Sequence, residues 1–230
     1  MFIGHLGAGL ALKKLDNKIN LFWLFTSVMF LDLLLWIFVM TGIEKVHIPD
    51  NYKNLHYLTF TFPYSHGLLA SFIWTISTYF ITVVITKRRK LAIVLASGVF
   101  SHFILDYLVH PPDLPLAGNS SATIGFGLWK NMPVALSAEL ALVIIGLTFY
   151  IGATRPIQKA GKYAMIIFMS VLTIFAFAGQ LLSAAPKSSL QVALSSFTTI
   201  GIVTIIAYWI DKKRISKQEA IPNQEKNYFT

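Results

Sequence analysis

The sequence contains no cysteine and carries little charge: only 13% of its 230 residues are Asp, Glu, Lys or Arg, against 55% hydrophobic. Without cysteine there are no disulfides, no thiolate zinc sites and no thiol nucleophile, so any metal must rest on His, Asp and Glu. So little charge on so apolar a chain excludes an ordinary soluble fold and points to a polytopic membrane protein. Internal repeats, low-complexity segments, a P-loop and a Gly-x-Ser-x-Gly elbow are also missing. The formal net charge is +9. Its basic residues lie in short clusters between apolar runs, where they orient helices and meet anionic headgroups, which excludes nucleic acid as a partner.

What the sequence does contain is six apolar runs of about 20 residues, each long enough to cross a bilayer. They cover residues 20–40, 66–86, 91–110, 134–154, 163–184 and 190–210. The expected fold is all-α: six transmembrane helices in a single domain over residues 1–211, followed by a polar, solvated cytoplasmic tail at 212–230. Residues 2–12, FIGHLGAGLAL, are too short to span, and their charges follow the run where a signal peptide's precede it. They are expected to form a short helix dipping into the protein.

Basic residues fix the orientation. Fifteen of the 19 Lys and Arg fall at Lys13–Lys18, Lys87–Lys90, Arg155–Lys162 and Lys212–Lys226, leaving Lys45, Lys53, Lys130 and Lys187 for the alternate connections. The positive-inside rule therefore puts both termini in the cytoplasm.

An ionisable group inside a span costs about 3 kcal/mol on insertion scales, so each one needs a reason. Asp32 lies in the first run, His66 opens the second, His102 and Asp106 lie in the third and Glu139 in the fourth, while Gln180 is the main polar exception in the last two. Counting 1.5 Å per residue from the basic edge puts Asp32 and His102 at ~18 Å, Asp106 and Glu139 at ~24 Å, His66 at ~31 Å and His5 at ~12 Å. Groups from different helices thus reach overlapping depths, and a polar pocket opening to the outer face is expected.

His102 and Asp106 are four residues apart and share one helical face, a spacing that suits two ligands of one ion, a carboxylate beside an imidazole, or a hydrogen-bonded pair tying helices together. His110 continues the stripe before Pro111-Pro112 ends the helix. Ser65 and Ser101 each precede a histidine, but neighbours on a helix point about 100° apart, so no dyad is read from them. The aromatic stretch from Tyr52 to Tyr64 reads as an interface anchor, and His47 and His56 as solvated loop residues.

The segments MFIGHLGAGLALKK, FLDLLLW, GIEKVHIPD, FPYSHGLLAS, SHFILDYLVHPPDLPL and GFGLWKNMPVALSAEL resemble a family of uncharacterised bacterial polytopic membrane proteins. The chain is more distantly similar to the YdjM-type inner-membrane proteins, described as metal-dependent hydrolases, whose pattern has an N-terminal His, an early Asp, a Thr-His-Ser and a His-x-x-x-Asp. His5, Asp32, His66, His102 and Asp106 can occupy those places. Asp32 departs from the Pro-Asp-x-Asp of that pattern, and Ser65-His66-Gly67 from its Thr-His-Ser.

These readings lead to an expected intramembrane metal-dependent hydrolase of the bacterial inner membrane, acting on a lipid or lipid-linked ester or phosphoester at the outer leaflet. His5, His66 and His102, with Asp32 or Asp106, are the expected ligands of a divalent metal, zinc first and manganese or iron as alternatives. Asp106 or Glu139 is the expected general base. Two rivals stay open: a small ion- or proton-coupled transporter using the same Asp, His and Glu residues, and a non-enzymatic assembly factor.

Overall fold

A computed structural model describes residues 1–217 of the chain. The fold is all-α and that of a polytopic membrane protein. Helix α1 (Phe2–Leu12) is short, and α2 (Leu21–Val28) and α3 (Phe30–Met40) follow as two halves of a bent pair. A hairpin of β1 (Lys45–His47) and β2 (Thr59–Thr61) flanks the one-turn α4 (Tyr52–Leu55). Helices α5 (Leu68–Thr86) and α6 (Arg89–Val109) come next. The small ribbon of β3 (Leu114–Pro115) and β4 (Thr123–Ile124) leads into α7 (Met132–Ala153). Strand β5 (Thr154–Pro156), α8 (Lys159–Leu182), α9 (Ser189–Asp211) and β6 (Arg214–Ser216) complete the described chain.

Helices α5 to α9, five in all, are each long and apolar enough to cross a membrane, and the α2–α3 pair makes a sixth crossing if its halves are counted as one. The expected continuous first span is thus broken, by 57° at Met29. The Val28 carbonyl at the break accepts a hydrogen bond from His102 Nδ1 at 2.6 Å. A side chain entering the backbone ladder is a recognised cause of a sharp bend. The bend also starts a new helix, placing Asp32 in its first turn, where the helix dipole favours an anion.

Helix α6 is central and α5 peripheral: 56% of the apolar window of α6 is buried against 6% for α5. Pro111 and Pro112 end α6 at Val109 as expected, with His110 at its C-cap in extended conformation. Helix α1 crosses α7 at two glycines. A Cβ on Gly7 would lie 2.6 Å from the Leu142 carbonyl oxygen, and one on Gly146 would strike Gly7 itself. Such small-residue crossings let helix backbones approach closely in lipid. The buried side of α1 (Ile3, Leu6, Leu10) then joins the same apolar core as Leu24, Phe25 and Val99.

The basic segments meet at one end of the molecule. Arg88 lies 3.8 Å from Asp16, and Lys13 pairs with Asp211 at 2.6 Å. Asp211 also accepts from the Tyr150 hydroxyl and the Leu21 N–H, both at 3.0 Å. Residues 214–216, expected in a solvated tail, pair instead with β5, and Arg214 is buried with hydrogen bonds to Thr154 and to the Gly161 carbonyl. Backbone pairing and a guanidinium that donates from each of its three nitrogens make that short polar segment part of the fold. Residues 218–230 of the expected tail lie outside the described residues.

Candidate metal centre

Five side chains from separate parts of the chain converge between α1, α3, α6 and the turn before α5. His102 Nε2 lies 3.0 Å from Asp106 Oδ2 and 3.7 Å from Asp32 Oδ1. His66 Nε2 lies 3.1 Å from His102 Nε2, 3.4 Å from Asp106 Oδ2 and 3.5 Å from Asp32 Oδ1. His5 stacks flat on His102, ring centres 3.8 Å apart, and directs Nε2 to the other oxygen of Asp106 at 3.0 Å. The Met1 amino group sits 3.4 Å from that same oxygen. The His5, Asp32, His66, His102 and Asp106 of the sequence reading are therefore brought together.

The tautomers follow from the outer hydrogen bonds. His102 Nδ1 faces the Val28 carbonyl, which only accepts, so Nδ1 carries the proton. Ser65 Oγ donates to Glu44 Oε2 at 2.6 Å and lies 2.8 Å from His66 Nδ1. Its own proton being engaged, the hydroxyl accepts from His66 Nδ1–H. Glu44 is itself held by the N–H groups of Tyr64 and Ser65, at 2.8 and 2.9 Å. With Nδ1 of both rings engaged in this way, their Nε2 atoms are the ones turned toward each other and toward two carboxylates.

Tetrahedral ligands ~2.0–2.1 Å from one ion lie ~3.3 Å from each other, the scale of the five separations among His66, His102, Asp32 and Asp106. Two triads, His66–His102–Asp106 and His5–Asp32–His102, each have their ligand atoms within 4.8 Å of one another. The donor set, imidazole and carboxylate, suits zinc.

Glu139 stands apart from this cluster. Its Oε2 accepts the N–H groups of Ile3 and Gly4 at 3.1 and 3.2 Å, so the carboxylate expected as a general base caps the first turn of α1. Adjacent Ser65 and His66 were expected to point apart on a helix. They lie in a turn instead, because the helix begins beyond Gly67, and there they bond to each other. Sequence reasoning places Ser65 beside His66 without a role and gives Glu44 none, for nothing in GIEKV marks an acid that will fold under a distant turn.

A cavity of about 330 Å³ opens above the cluster, lined by Asp32, His66 and Asp106. Asp32, whose side chain is 20% exposed, is the most open of the five clustered residues. Tyr52, His56, Tyr57, Phe60 and Phe62 line it too, so the stretch expected to anchor the interface, and the His56 expected in solvent, form its wall. His47, by contrast, is exposed. Gln180 reaches in from α8 and donates to the His56 carbonyl, while His110, held by Asp113 at 3.0 Å, packs on Trp129 at the rim.

Compared with protein-family models, curated proteins and solved structures, the chain shows no match.

Proposed function

We propose that the chain is an intramembrane metal-dependent hydrolase in which His66, His102 and Asp106 hold one divalent cation, zinc in the first instance. The observation that carries this reading is the meeting of two imidazole Nε2 atoms and two carboxylates, drawn from three parts of the chain, at 3.0–3.7 Å. A divalent cation between them would offset the cost of burying two carboxylates so close together. A zinc ion held by these residues would supply Lewis acidity, lowering the pKa of a bound water toward ~7 and polarising the bond to be cleaved.

The chain's own residues do the rest. Asp32 faces the cavity and accepts a proton from the attacking water. His5 donates to Asp106 Oδ1 and so leaves Oδ2 for the ion, while Glu44 and Ser65 hold His66 in its binding tautomer. Glu139 keeps α1, and with it His5, in place.

With the basic end in the cytoplasm, the cavity lies in the outer half of a bacterial inner membrane, within reach of a lipid or lipid-linked ester or phosphoester. The test is the metal content of the purified protein by mass spectrometry, for wild type, His102→Ala and Asp106→Ala. About one equivalent in wild type and a loss in folded variants support the reading. A wild type lacking metal and gaining no thermal stability from added zinc overturns it.

A further inference from the structure

The cavity's wall narrows what its centre can act on. Among the described residues, none of the side chains lining it is a lysine or an arginine, and its only acids are Asp32 and Asp106. Proteins hold phosphoryl groups with guanidinium or ammonium groups, or with the free N–H groups of a helix N-terminus. The helix end that reaches this cavity, that of α1, has its Ile3 and Gly4 N–H groups taken by Glu139, and the Met1 ammonium faces Asp106. An anionic substrate therefore meets two carboxylates and, apart from the ion, only imidazoles and neutral polar groups. The remainder of the wall is aromatic, with Trp36, Tyr57 and Trp129, aliphatic, with Leu35 and Ile200, or neutral and polar, with Gln180.

The cavity is too small for a whole membrane lipid. At about 330 Å³ it holds the volume of roughly ten waters. On the α9 side the cavity borders the helix's outer surface: Ser195 and Thr199 line the cavity and also a shallow groove along the N-terminal half of α9, and both are exposed on that helix beside the exposed Leu194. A membrane-spanning helix exposes such residues to acyl chains.

We propose, resting on the hydrolase reading above, that the substrate is a carboxylic ester or amide of a membrane lipid with no phosphate at the bond cleaved. The acyl carbonyl enters sideways between Ser195 and Thr199 while the chain stays in the α9 groove. One water adds across the acyl bond: its oxygen joins the carbonyl carbon, the carbon–oxygen or carbon–nitrogen bond breaks, and a proton passes to the departing alcohol or amine.

Zinc-loaded protein in detergent micelles is assayed with 4-nitrophenyl octanoate, 4-nitrophenyl acetate and bis(4-nitrophenyl) phosphate, with chelator-treated protein and Asp32→Asn as blanks. The octanoate is expected to exceed the phosphodiester in kcat/KM by at least ~100-fold. Thr199→Trp is expected to lower kcat/KM about tenfold for the octanoate and little for the acetate, at unchanged metal content. Preference for the phosphodiester overturns the substrate class and leaves the hydrolase reading standing. Equal losses on both esters in Thr199→Trp overturn the sideways entry. No turnover of any probe at full metal occupancy overturns the hydrolase reading and this inference together.

Discussion

Glu44 and Ser65, 21 residues apart, meet in a 2.6 Å hydrogen bond that sets which nitrogen of His66 is free. If that chain positions a ligand, Ser65→Ala and Glu44→Gln should fold and still bind zinc, but ~10–100-fold more weakly, as outer-sphere substitutions do. Competition with a chromogenic chelator measures this. Unchanged affinity in both variants removes the chain from the site.

Metal affinity should fall as pH falls. The imidazoles must be neutral and the carboxylates ionised to bind, so protons compete with the ion. Zinc titrations at pH 8, 7 and 6 check the sign; affinity rising on acidification would rule out a His and Asp ligand set.

Glu139→Ala strips the acceptor from two buried N–H groups, a cost of about 1–3 kcal/mol each. The expected outcome is a lower thermal midpoint, with metal content per folded chain nearly kept. A folded variant of wild-type stability with its metal gone would place Glu139 in the centre itself.

Because the chain has no cysteine, single cysteines report sidedness cleanly. Residues 118–120 should label with a membrane-impermeant maleimide from outside intact cells, and Arg88→Cys should not. The reverse pattern inverts the orientation and moves the cavity to the inner leaflet.

Gly146→Leu places a side chain where the backbone of Gly7 runs. It should displace α1 and destabilise the fold by 1–3 kcal/mol or more, as overpacking does in a close-packed interior. Gly152→Leu, with open space around it, is the matched control.

The parts legible in the sequence are those that helical periodicity and membrane cost impose. Asp32, His102 and Asp106 stand out because an acid or imidazole in an apolar run demands a partner. His5 could be picked out as well, since its short run had to dock rather than span. The rest depended on contacts that no local pattern carries. The 57° break falls in TSVMFLD, which has neither Pro nor Gly, and involves a histidine 74 residues away. Glu139 sits in its span as an active-site acid would; only the arrival of Ile3 and Gly4 makes it a cap. Aromatic residues from 52 to 62 have the composition of an interface belt, and a hairpin folds them over the cavity.

The docking of α1 on α7 also has a consequence in time. Ile3 and Glu139 are 136 residues apart, so at ribosomal speeds of ~5–20 residues per second α1 waits on the order of 10 s for its partner. Eleven residues cannot hold a transmembrane position during that interval. Helix α1 also packs on α2 and α6, which emerge sooner, but the carboxylate that caps its first turn arrives only with α7. A nascent chain halted before residue 139 thus carries His5, His66, His102 and Asp106 without the acceptor that fixes the helix on which His5 sits.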